Sequence, residues 1–132
     1  FPKLSALDTL LKTVIADGDL DAALLFDQNF FIIGNAYKDE MKDKEAVLQA
    51  INEFYFLFED LVKVREQGYE LELNLRKIIG TGNTELQFIF RPVELDSWQL
   101  FVLFVGTEIV EIKALIEILK RDYEAMSPFF NR

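Results

Sequence analysis

Asp17, Asp19 and Asp21 stand at alternate positions, and carboxylates set this close together suggest oxygen ligands for Ca²⁺, which takes about six to eight of them. The usual calcium-binding loop needs Gly at its sixth position and Glu at its twelfth. Counted from Asp17 those positions hold Ala22 and Gln28, so a solvated loop is expected. Gly80-Thr81-Gly82-Asn83 resembles a phosphate-cradling loop, but no Lys-Ser/Thr follows and the next segment is strand-like. It reads as a hairpin turn. Glu70, Glu72, Glu85 and Glu94 offer acids for acid/base work, yet alternate acids on a strand mark its wet face. Arg65, Arg76, Arg91 and Arg121 are candidates for an arginine aimed at a transferring phosphoryl group, an interaction worth about 10³ to 10⁵ in rate. Their spacing selects none of them. The cluster Phe54-Tyr55-Phe56-Leu57-Phe58 is more bulk than one helix can turn onto one sheet, so part of it is expected at an interface. Trp98 reads as core, and Phe129 and Phe130 as a packed tail or a docking peptide.

Composition narrows the chemistry further. The chain has no Cys and no His, which excludes disulfides, thiol nucleophiles, His-based triads and nearly every zinc or copper site. No catalytic residue, metal site or cofactor is expected. The 132 residues are the length of a single domain, large enough to bury about two thirds of the surface that the unfolded chain exposes. With 51% hydrophobic and 28% charged residues the chain reads as globular. It has no apolar stretch near the ~18 residues of a spanning helix, so no membrane insertion is expected. Fourteen basic against 23 acidic residues leave a net charge of −9, a poor footprint for nucleic acid. Phe1-Pro2-Lys3-Leu4 lacks the apolar run of a secretory leader, and the absence of Cys is compatible with the cytoplasm, the expected location. Thirteen Phe need somewhere dry to go.

The elements that must carry these residues follow from periodicity. Ser5 and Asp8 make a start like a capping box, and Leu4, Leu7, Leu11 and Val14 recur at helical spacing up to Asp17-Gly18-Asp19. Gly18 suits a left-handed helix end. Ala22 to Phe26 and Phe30 to Ile33 flank the turn residues Asp27-Gln28-Asn29 and read as a hairpin buried on both faces, closed by Gly34-Asn35. No Gly or Pro interrupts Lys44 to Gln67, which predicts a long helix. At about 100° per residue, Val47, Ile51, Phe54, Phe58 and Leu61 form its central stripe. Ala50, Leu57 and Val64 flank the stripe on one side, and Leu48, Tyr55 and Val62 on the other. The apolar arc covers about 200°, double what seats a helix on one core. Such a helix needs two apolar neighbours. Tyr69, Leu71, Leu73 and Leu75 alternate with polar residues as a half-buried strand, and Leu86, Phe88 and Phe90 alternate with Glu85, Gln87, Ile89 and Arg91 up to Pro92 as a strand with one wetter face. Trp98 to Val105 reads as a central strand covered on both sides. Ile109, Ile112, Ile116, Leu119, Tyr123 and Met126 predict a last helix, ended by Pro128; a strand through Val110 to Ile118 is the alternative.

This order of elements resembles the roadblock / dynein light chain family. The likeness rests on Leu10-Leu11 before a short polar link, the hairpin from Ala22 to Asn35, the long helix with Ala46 and Ala50, three strands and a closing helix. Asn29 stands where the family's first turn usually carries Gly. The resemblance implies an α/β (α+β) fold whose five-stranded antiparallel sheet carries the long helix on one face and the terminal helices on the other. It also implies dimerisation, with a second copy or a related subunit, through paired long helices and an edge strand. The residues expected at that interface are Leu48, Ala50, Tyr55, Leu57, Val62 and Val64 on the helix, and Tyr69 and Leu71 on the strand. Members act as non-catalytic platforms for Ras-like small GTPases, in signalling complexes or as cargo-binding light chains of motors. Two other readings fit the size and charge: a ketosteroid-isomerase-like cone holding a small apolar ligand, and an acidic secretion chaperone.

Overall fold

The computed structural model describes residues 4–39, 44–68, 75–81, 84–109 and 111–130. Its elements are α1 (Leu4–Asp17), β1 (Ala22–Phe26), β2 (Ile32–Tyr37), α2 (Lys44–Glu66), β3 (Leu75–Thr81), β4 (Thr84–Leu95), β5 (Trp98–Gly106) and α3 (Ile112–Phe130). The strands form one sheet in the order β2-β1-β5-β4-β3, and every neighbouring pair is antiparallel. Among the described residues no helix is long and apolar enough to cross a membrane.

Side chains alternate across a strand, and the central strands use that alternation to feed two cores of different chemistry. Leu24 and Phe26 of β1, Phe88 and Phe90 of β4, and Leu103 and Val105 of β5 point towards α2, where they meet Val47, Ile51, Phe54 and Phe58. Leu25, Ile89, Val102 and Phe104 point the other way, into an aliphatic layer with Leu7, Leu10, Leu11 and Val14 of α1 and Leu115, Leu119 and Tyr123 of α3. Ile89 is fully buried, so the middle of β4 has no wet face. The α2 side is rich in aromatic rings. Phe30 stacks on Phe58 at 4.8 Å and on Phe101 at 5.0 Å, and Phe101 stacks on Phe90 at 5.3 Å. Each such pair adds about 0.5 to 1.5 kcal/mol beyond the area it buries. These rings fill a layer rather than line a cavity, and the final segment is helical, so the cone reading does not hold.

The structure corrects the sequence in several places. The second strand continues through Gly34 and Asn35 to Tyr37, because α1 lies close against it. A Cβ at Gly34 would sit 3.0 Å from Leu7 Cβ and 3.2 Å from Leu11 Cδ1. The Lys38 N–H donates to the Asp21 carbonyl at 2.7 Å, and with Leu24 opposite Asn35 this register turns the Asn35 N–H towards the open edge of the sheet. Asp8 Oδ1 accepts it at 2.8 Å. Asp8 therefore ties α1 to an edge strand that would otherwise present a bare amide there. At the end of α1 the left-handed residue is Asp19, with φ 51°, not Gly18. Gly18 makes room for α3 instead, since a Cβ there would meet Leu115 Cδ2 at 2.8 Å.

Gly80 and Thr81 belong to β3, opposite Glu85 and Thr84. Pro92 lies inside β4, opposite Phe101 of β5. Trp98 is exposed at the start of β5 rather than core. Pro128 does not stop α3, which runs on to Phe130. The Ser127 hydroxyl donates to the Glu124 carbonyl at 3.0 Å, the acceptor that a proline at 128 leaves without its amide donor. The expected strand residues Tyr69, Leu71 and Leu73 lie outside the described residues.

Two measurements check this architecture. Gly34→Val should lower stability by about 1 to 3 kcal/mol in urea unfolding, because α1 must move to admit the side chain. The buried Tyr123 hydroxyl donates to Asp96 Oδ2 at 2.8 Å, and burial, then that bond and the Asp96 charge, push the phenol from 10.0 up to about 12. The neutral phenol is thus favoured in the fold, and its contribution is lost as pH rises through that window. Tyr123→Phe should cost about 1 kcal/mol at neutral pH and flatten the alkaline decline in melting temperature.

Candidate interaction surface

The candidate surface is carried by α2. Glu45 in its first turn and Lys63 and Arg65 in its last match the helix dipole. Gly68 takes φ +92°, and its N–H donates to the Arg65 carbonyl at 2.9 Å, which ends the helix in the left-handed manner. The stripe Val47, Ala50, Ile51, Phe54 and Phe58 is buried, while Tyr55, Leu61 and Val62 are half-buried against the same core. The remaining apolar side chains stay in water. Phe56 is 74% exposed, Leu48 40%, Val64 38% and Leu57 37%.

Leu57 and Val64 are seven residues apart, nearly two full turns, so they lie one above the other on one flank. Leu48 lies on the opposite flank, and Phe56 stands amid Asn52, Glu59, Asp60 and Lys63 on the outward face. The sheet of this chain therefore covers only part of the apolar arc. Of the residues expected at a dimer interface, Leu48, Leu57 and Val64 are exposed, and Tyr55 and Val62 are partly covered by their own chain. Ala50 is a correction. At 1% exposure it sits under α2 in the chain's own core and offers nothing to a partner. Tyr69 and Leu71 lie outside the described residues.

The other sequence candidates are not gathered into a reactive site. Arg65 Cζ lies 5.3 Å from the centre of the Phe30 ring, and its guanidinium donates to the Gln28 carbonyl, so it clamps the first hairpin turn to α2. Arg91 donates to the Phe90 carbonyl at 3.1 Å. Arg121 pairs with Asp17 at 2.9 Å, which commits one member of the Asp17, Asp19, Asp21 series. The Arg76 side chain, Glu70 and Glu72 lie outside what is described. Glu85 and Glu94 occupy opposite ends of β4, about 30 Å apart at the usual strand rise, and cannot act as a pair. Burial raises Tyr55, with Tyr37 adding to the effect, and burial likewise raises Tyr37. Both phenols are neutral at neutral pH, so the charge beside Tyr55 comes from Glu59, Lys63 and Glu66.

Sequence reasoning missed Phe31. It is 66% exposed and, with Tyr55, Phe58 and Val62, lines a groove of about 580 Å³ between the first hairpin turn and α2. The turn produces this exposure. Asp27 Oδ1 accepts the N–H groups of Asn29 at 2.8 Å and Phe31 at 3.0 Å, and Phe30 takes φ 64°. One ring is turned in and the next out.

A central helix on one face of an antiparallel sheet, with the terminal helices on the other, defines a roadblock-type α/β fold, as the sequence resemblance implies. In particular, the chain is similar in structure to Myxococcus xanthus MglB, with a TM-score of 0.53 and 12% identity over 98% of this chain and 90% of that one. A second similar structure, the gliding protein MglB from Thermus thermophilus, gives a TM-score of 0.47 and 13% identity over 93% of this chain and 92% of that one. No family sequence model matches, and comparison with curated proteins finds no match. At these identities the likeness is one of fold.

The two kinds of α2 position should separate in unfolding experiments. Phe58→Ala should cost about 3 to 5 kcal/mol, whereas Phe56→Ser should change stability by less than about 0.5 kcal/mol.

Proposed function

We propose that the chain is a single roadblock-like domain, residues 1–132, that pairs with a second copy or a related subunit. The pair serves as a non-catalytic cytoplasmic platform for a Ras-like small GTPase within a signalling or motor complex. The observation that carries this reading is the apolar flank of α2, where Leu57 and Val64 remain more than a third exposed although the sheet beneath is already filled. A partner helix laid along that flank would dry both. Leu48, Tyr55 and Val62, with Tyr69 and Leu71 in the following segment, complete the expected interface. The roadblock-type fold supports the choice of a GTPase as partner, since that is what the family resemblance implies. Nucleic acid is disfavoured by the charge of −9.

The mechanism is binding. A rigid composite surface that fits one GTPase conformation better than another shifts the population towards it by the difference in affinity. Arg65, Arg91 and Arg121 already serve intrachain contacts, and the family resemblance implies that any change in nucleotide hydrolysis comes through the GTPase's own residues. An acidic secretion chaperone would instead hold an unfolded segment, and the fold likeness favours the platform.

Equilibrium sedimentation tests the pairing. A dimer is expected, weakened at least about tenfold by Leu57→Glu or Val64→Glu, a loss of about 1.4 kcal/mol or more. Tyr55 is a poorer probe, because its ring packs edge-on to Phe58 at 5.9 Å and its replacement would disturb the fold. A folded wild-type monomer at high concentration would overturn the proposal.

A further inference from the structure

Asp122 is the one buried charged residue among the described residues, at 7% exposure, and it lies where α3 passes the end of α1. Its Oδ1 accepts from Arg121 Nε and Nη2, both at 3.3 Å, and Arg121 Nη2 also donates to Asp17 Oδ2 at 2.9 Å. Its Oδ2 is buried with no protein partner. A buried carboxylate oxygen in that position is costly unless it carries a proton or finds a donor. Arg121 cannot fully neutralise the group, since its side chain is 65% exposed and shared between two acids. The setting of Asp17 adds to the excess of negative charge. It is the last residue of α1, whose last turn holds no basic residue, so it faces the negative end of its own helix dipole.

We propose that Asp122 carries a proton in the folded state at the contact between α1 and α3, and that this proton seats the C-terminal helix, which loosens when the proton leaves. The charged groups facing Asp122 are Asp17 from α1 and Arg121 from α3. The electrostatics agree with the geometry. Burial, the largest influence, raises Asp122 above its ordinary value, the neighbouring Asp17 carboxylate raises it further, and Arg121 opposes both. A carboxyl raised in the fold binds more protons folded than unfolded, so its contribution is complete below the unfolded value and lost as pH rises through the folded one. This direction is opposite to that of an ordinary surface acid paired with a base.

Amide hydrogen exchange of α3, corrected for intrinsic rates and followed from pH 4.5 to 8, tests the idea. In the wild type the opening of α3 should increase with pH by up to about tenfold per unit, the limit for a single proton. In Asp122→Asn, which keeps the shape without the ionisation, the dependence should vanish. Asp17→Asn, at a more exposed position, should weaken it and provides the test if the first variant folds poorly. Comparing α3 with β4 and β5 separates this device from the general relief of repulsion on acidifying a chain of charge −9. Equal pH dependence in wild type and variants, or the same dependence in the central strands, would overturn the proposal.

Discussion

Phe30, Phe58, Phe90 and Phe101 stack into a slab of rings between α2 and the sheet, and the height of that slab determines what α2 can hide. Rings hold the helix axis farther from the strands than small side chains would. A helix standing on such a layer buries the stripe beneath it well. Its flanks rise clear of the sheet. Leu57 and Val64 lie on such a flank and stay more than a third exposed. The slab also holds its own strained member: Phe30 keeps a left-handed backbone that costs a bulky residue about 1 to 2 kcal/mol, offset by two stacked rings and the Arg65 guanidinium above it.

The opposite face follows another rule. Packing there is aliphatic and close, with Gly34 and Gly18 admitting α1 and α3 to distances that a Cβ would forbid. Polar groups on this side act as ties between elements. Asp8 fastens α1 to the edge of β2, Tyr123 fastens α3 to the turn after β4, and the acids at 17 and 122 meet across Arg121. One face thus leaves apolar side chains exposed, while the other holds the chain's terminal helices in place. The proposed platform would need both, because a surface that selects one conformation of its partner must not itself yield.

Much of the fold was legible in order and type. Helical spacing from Leu4 to Val14 and from Ile112 to Met126, the recurrence of Leu86, Phe88 and Phe90 at every second position, and the uninterrupted run before Gly68 are local signals, and local signals survive without tertiary information. Boundaries were less legible where a distant element intervenes. A sequence cannot show that α1 will press on Gly34, or that a serine hydroxyl will take over the carbonyl that Pro128 strands.

For the surface, the sequence alone determined that the central helix carries more apolar circumference than one sheet can cover, and that the chain lacks the His and Cys of most hydrolytic and metal sites. Both follow from residue identity and a fixed turn angle. Only the tertiary structure decided how much of each flank stays open, because that depends on how α2 sits over a particular set of rings. It moved Ala50 from the expected interface into the core, turned Phe31 outward, and brought Asp17 and Asp122 together from opposite ends of the chain. Proximity of that kind is a property of packing, and no spacing along the sequence encodes it.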